Sequence, residues 1–119
     1  MSDNNFNGLI SILKTGISLE PMGVNEYAFS YENVLLVITE IEKLGVPILG
    51  GDVLTMDDGQ FGYTGDSWSC NRRADEPIGE YFKRSIQHTR NYIEYYHKRN
   101  KGSFFFSIVA NIGLLRVHE

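Results

Sequence analysis

The stretch Leu44-Gly45-Val46-Pro47-Ile48-Leu49-Gly50-Gly51-Asp52-Val53-Leu54 limits the fold of this chain more than any other. Gly45 ends a helical pattern, since a C′ residue needs a left-handed φ that glycine adopts without steric cost. Pro47 forces Val46 into an extended conformation. The run from Ile48 to Leu54 is apolar on both parities at each end, where a half-buried strand would alternate. It reads as a strand covered on both faces. Gly50 and Gly51 in its middle mark a bulge or a close approach of another backbone, and are read as structural. Asp52 beside them is either turned to solvent by the bulge or buried with hydrogen-bond partners. The structural role is preferred for it, with a functional carboxylate as the alternative.

Before that strand, Asn4 or Asn5 is expected to cap a helix carrying Phe6, Leu9, Ile10 and Leu13, with Gly16 as its C′ residue. Residues 17–29 show no period, and Glu20-Pro21-Met22-Gly23 reads as a turn. Ser30 caps a second helix with Glu32 in its first turn and Val34, Leu35, Ile38, Ile41 and Leu44 along its stripe. Leu36 and Val37 widen the stripe and predict cover on more than one side. After the strand, Asp57-Asp58-Gly59 signals a hairpin. Phe61–Tyr63 forms the return strand and Asp66–Cys70 a further short one. Pro77 opens the longest helix, with Ile78, Tyr81, Phe82, Ile86, Thr89, Tyr92, Ile93 and Tyr96 on its apolar side. Ser103–Val109 favours a strand, and Asn111–Glu119 is a last strand or a loosely attached tail. The predicted order is α-α-β-β-β-α-β over one domain, residues 1–119. Strands clustered in sequence predict an α+β fold, with a mainly antiparallel sheet of about four strands packed on helices. Ile48, Leu49 and Val53 are expected on an interior strand.

A chain of 119 residues that is 42% hydrophobic and 22% charged can bury one core without disulfides or metal. The single Cys70 and the absence of a basic n-region at the start point to the cytosol. No apolar run approaches the length of a membrane span. The charge is unevenly placed. Residues 1–71 hold ten acids against Lys14 and Lys43, whereas residues 72–119 hold nine bases against five acids. Such a split either serves charged partners, the preferred reading, or is satisfied within the fold.

Chemistry finds little support. Glu94-Tyr95-Tyr96-His97 places a carboxylate and an imidazole on one helix face, but a di-iron bundle needs a second such pair and two further glutamates. No metal is expected. Cys70 beside Arg72 and Arg73 could be a reactive thiol, although a small buried strand residue is the commoner role. Gly50-Gly51 is no phosphate loop, because neither a helix nor a lysine follows at the required distance. Lys83, Arg84, Arg90, Lys98 and Arg99 share the last helix with Tyr92, Tyr95 and Tyr96. Glu80 and Glu94 interrupt that face and the net charge is −4, against a nucleic-acid footprint. No catalytic residue and no cofactor is assigned.

Protein binding fits better, since an acidic surface with aromatic anchors suits a basic partner. Asp57, Asp58, Tyr63, Asp66 and Trp68 fall in one hairpin-and-strand segment and could share a rim, which Glu26 would extend. Trp68 has a competing place in the core. The landmarks Gly45-Val46-Pro47-Ile48-Leu49-Gly50-Gly51-Asp52-Val53, Asp66-Ser67-Trp68, Tyr81-Phe82-Lys83-Arg84-Ser85-Ile86 through Tyr92-Ile93, and Phe104–Val109 together resemble immunity protein family 40. These are small cytosolic proteins encoded beside polymorphic toxins, including those of contact-dependent growth inhibition. An aromatic often follows the tryptophan in that family, where this chain has Ser69. The resemblance implies a non-enzymatic antitoxin that neutralises a cognate toxin domain by stoichiometric binding. The competing expectation is a small-ligand-binding or enzymatic domain with a pocket around Asp52 and Tyr63. The oligomeric state is left open.

Overall fold

Residues 2–111 are described by the structure, a computed structural model, and open with helix α1, Ser2–Leu13. The helix begins ahead of Asn4 and Asn5, which therefore lie inside it and do not cap it. Leu9 is fully buried, and a Cβ at Gly8 would sit 3.5 Å from the Leu44 side chain. Gly16 is required for a reason other than the one expected. It has no positive φ, but a Cβ there would press to 2.7 Å from the Phe29 ring and 2.8 Å from the Ala28 carbonyl oxygen.

The segment without a period contains two short strands, β1 (Ile17–Ser18) and β2 (Tyr27–Ser30), joined through a 3-10 turn at Glu20–Met22. Ser30 then caps α2 (Tyr31–Leu44), its Oγ accepting the Asn33 N–H at 3.3 Å, and Gly45 closes the helix at φ 74°. Val34, Val37, Ile38 and Ile41 are buried. Leu36 is 67% exposed, so cover on more than one side does not extend to it.

Strand β3 (Ile48–Asp57) turns back into β4 (Gln60–Ser69) through Asp58 and Gly59, both at positive φ, as a type I′ turn requires. Two return strands were expected; one is found, interrupted by a bulge. Asp52 pairs with Ser67 and Leu54 with Tyr63, so Thr64-Gly65-Asp66 oppose the single residue Val53. Gly65 supplies the left-handed φ of 92° at that irregularity. Helix α3 (Ile78–Arg99) comes next, then β5 (Phe105–Ser107) and β6 (Val109–Ala110).

All pairings are antiparallel, in the order β1-β2-β5-β3-β4, with β6 also on β3. Six strands replace the expected four because residues 17–30 supply two and the last run divides, while the two expected return strands are one. β3 lies inside the sheet, with Ile48 and Val53 fully buried and Leu49 half-buried. The glycine pair behaves as expected. A Cβ on Gly51 would overlap the Ser107 carbonyl oxygen and the Trp68 ring, and one on Gly50 would overlap the Trp68 carbonyl oxygen.

The sheet has two unlike faces. On one, the helices build the main core from Leu9, Val34, Ile38, Ile41, Val53, Trp68, Ile86, Ile93 and Phe106. On the other, among the described residues, only the β1–β2 segment folds over, placing Leu19, Met22 and Val24 against Ala28, Leu54, Phe61 and Phe105. The described residues leave the rest of that second side as an open face. Asn111 is anchored by its N–H to the Pro47 carbonyl at 2.9 Å. The last strand or loose tail expected over Asn111–Glu119 otherwise lies outside the described residues.

Candidate functional site

Strand parity decides which side chains reach the open face. Leu54 faces it, so Asp52 and Met56 on the same strand do too, as do Tyr63 and Phe61 opposite them on β4. Ala28 on β2 faces it as well and pairs with Ser107 of β5, and Glu26, just ahead of β2, hydrogen-bonds that Ser107. Three residues singled out in the sequence, Glu26, Asp52 and Tyr63, thus come from the segment leading into β2, from β3 and from β4 onto one surface.

Their electrostatics agree with the proximity. Burial pushes the Glu26 carboxyl above its usual 4.5, the Asp52 charge pushes it further, and a hydrogen bond with Ser107 acts in the opposite direction. Its Oε1 is buried without a hydrogen-bond partner among the described residues. Tyr63 is raised above 10.0 by burial, then by the Glu26 and Asp52 charges. The structural part of Asp52 is played by its backbone, whose N–H donates to Ser107 Oγ at 3.0 Å. Its carboxylate makes no hydrogen bond among the described residues and sits half-buried beside Glu26.

The other candidates lie elsewhere. Asp57 and Asp58 are exposed at the β3–β4 hairpin tip. Asp66 is carried by the bulge to the helix side, where its Oδ2 accepts the Tyr96 hydroxyl at 2.9 Å. Trp68 corrects the shared-rim reading. It is 6% exposed, donates from Nε1 to Thr89 Oγ1 at 3.0 Å, and stacks on Tyr92 with centroids 5.1 Å apart. Parity turns it away from Tyr63, and the helix layer covers it.

Ile17, Met22 and Met56 carry no signal in the sequence that marks them for a site. With Phe61 they line an open groove of about 320 Å³ between the β1–β2 segment and the hairpin. Only the register of β1 on β2, Ile17 opposite Ala28, places Ile17 there. Ser107 is a further addition: the apolar run before it carries no signal, and strand parity with Phe105 brings it to the open face. A second cleft of about 570 Å³ lies between α1 and the β2–β6 end of the sheet, lined by Leu13, Lys14, Glu26 and Val109 among others. It includes neither Asp52 nor Tyr63.

The basic residues of α3 are partly engaged within the fold. Arg84 bonds Glu76 through Nε at 2.8 Å and through its terminal nitrogen at 2.7 Å, and also reaches Cys70 Sγ at 3.1 Å. Those bonds with Arg84, together with the Arg73 N–H, hold the Glu76 carboxyl down at about 2. Arg90 reaches Glu42 at 3.0 Å and Thr39 Oγ1 at 2.9 Å. Cys70 is buried, in a structural setting. No group of metal-ligating side chains occurs among the described residues, and no described helix is long and apolar enough to cross a membrane.

The fold defines a class, α+β domains with helices on one face of an antiparallel sheet. Within it the family is specific: residues 18–110 match the family model described as Immunity protein 40, and the chain belongs to that family. No curated protein and no solved structure matches it.

Proposed function

We propose that this protein is a non-enzymatic immunity protein that binds a cognate toxin domain in the cytoplasm through the open face of its sheet. The observation that carries the reading is Glu26, a carboxylate held partly out of water beside Asp52 and in no ion pair among the described residues. Two acids so placed destabilise the free chain and suit a basic partner, whose positive side chain would relieve both charges. Tyr63, 48% exposed beside them, supplies an aromatic contact, and Ile17 and Met56 supply apolar ones. Asp57 and Asp58 stand at the rim, where charge acts on encounter. Asp66 belongs to the proposed contact only at its edge, because it faces the helix side. Trp68 supports β4 from within.

The family description supports a toxin as the partner. The competing pocket reading would need a cavity joining Asp52 to Tyr63, and the 570 Å³ cleft joins neither. The test is co-purification with the toxin domain encoded beside this chain, followed by titration of toxin activity. Inhibition complete at one equivalent, and weakened about 10–100-fold by Glu26→Gln with Tyr63→Ala, is expected for loss of a central charge and an aromatic anchor. Inhibition unchanged by that double variant would move the interface off the open face.

A further inference from the structure

The two edges of the sheet differ in a way that selects one for pairing. β1 is two residues long, whereas β4 runs for ten. Native edges are usually blunted by shortness, by lysine or proline, or by a bulge. In β4, Gln60-Phe61-Gly62-Tyr63-Thr64 carries no charge and no proline. The bulge blunts only the C-terminal half of the strand: Thr64 Oγ1 donates to the Val53 carbonyl at 2.9 Å and accepts the Asp66 N–H at 3.0 Å. Gln60–Tyr63 is therefore an unprotected edge about 13 Å long, at roughly 3.3 Å per residue.

The turn determines which backbone groups face outward. Asp57 and Gln60 flank the two-residue turn and exchange hydrogen bonds with each other. Bonded pairs alternate along an antiparallel ladder, so Gln60 and Gly62 face β3 while Phe61 and Tyr63 direct their N–H and C=O groups outward. No other strand pairs with β4 among the described residues. The side chains of the same two residues lie on the open face.

We propose that the toxin domain adds an extended segment to this edge, pairing antiparallel or parallel with Phe61–Tyr63 and continuing the sheet. This rests on the reading of the chain as a toxin binder and specifies how the partner docks. The incoming strand carries lysine or arginine at alternate positions. Those on the Tyr63 side lean inward over Asp52, and the hairpin acids Asp57 and Asp58 flank the approach. A second copy of this chain is the poorer occupant. Antiparallel pairing of two β4 edges about Gly62 would bring the hairpin acids Asp57 and Asp58 of each copy towards Asp66 of the other, and like charges brought together repel.

Amide hydrogen exchange on the unaltered protein, free and bound to the toxin domain encoded beside it, tests the proposal. Binding should slow exchange at the Phe61 and Tyr63 amides at least about tenfold, as expected for new backbone hydrogen bonds. Gly62, already bonded to β3, should change less. Tyr63→Pro should dissociate about tenfold faster than Tyr63→Val, since both lose the ring and only proline loses the outward N–H. A complex that leaves both amides unchanged would overturn strand addition and leave the open-face reading standing. Failure to form any complex would remove the toxin-binding reading and this inference with it. Protection of the same amides in the free chain, with a dimer in sedimentation, would give the edge to a second copy and overturn the proposal.

Discussion

Ionising Glu26 costs the folded chain free energy, because its carboxyl is partly desolvated and Asp52 already carries charge nearby. The folded value lies above 4.5, so the folded state holds the proton more tightly than the unfolded chain does. The cost is absent below about pH 4.5 and develops as pH rises through the folded value. Glu26→Gln should thus match the parent in urea unfolding at pH 4 and exceed it at pH 7; equal stability at pH 7 would contradict the assigned strain. Gly51 makes the opposite case, since its importance is purely steric. Gly51→Ala forces a methyl group against the Ser107 carbonyl and the Trp68 ring, and overpacking of this kind costs roughly 1–3 kcal/mol. Chemical denaturation measures it, and a loss below about 0.5 kcal/mol would mean that the β3–β5 contact yields easily.

Elements with a strong local period were legible in the sequence; elements defined by distant partners were not. Val34 to Ile41 and Tyr81 to Tyr96 repeat at helical spacing, and Asp57-Asp58-Gly59 carries its own turn chemistry, so α2, α3 and the hairpin are set by neighbours in the chain. β1 and β2 are two and four residues long, too short for a period, and exist because β5 arrives from about 80 residues away to pair with β2. The meeting of Glu26 with Asp52 has the same origin, since β5 lies between β2, which Glu26 precedes, and β3. Trp68 was ambiguous for a related reason: the Thr64-Gly65-Asp66 bulge shifts the register before it. The entry to α3 adds a testable device. Glu76 gathers Arg84 and the Arg73 N–H, and its folded value of about 2 lies below the usual 4.5. That contribution is present above about pH 4.5 and is lost as pH falls towards 2. Glu76→Gln should lower the melting temperature at pH 7 and flatten its fall between pH 4.5 and 2.5. Parallel melting profiles for the two proteins would rule out Glu76 as the acid-sensitive link.

Across the whole molecule, the two halves of the chain keep most of their charge difference. Among the described residues Arg90–Glu42 is the ion pair that joins them; Lys43–Glu40 and Arg84–Glu76 each stay within one half. Exposed acids at the hairpin tip would then act at long range on the proposed basic partner. Asp57→Asn with Asp58→Asn should slow association several-fold at low salt and reduce its salt dependence, with dissociation little changed. Asparagine is the cleaner replacement at Asp58 because it tolerates the φ of 54°. Stopped-flow association at two ionic strengths decides it, and an unchanged rate would place the encounter away from the hairpin. The helix layer on a single face has a further consequence. Packing that keeps the chain folded is concentrated behind the sheet, while Ile17, Met56 and Tyr63 stand in front of it with little structural duty. Replacing those three together should alter which partner is recognised while the melting temperature barely moves. If the open face binds a toxin as proposed, lineages of this chain could change allegiance from one toxin to another by a few frontal substitutions, each intermediate still a folded protein.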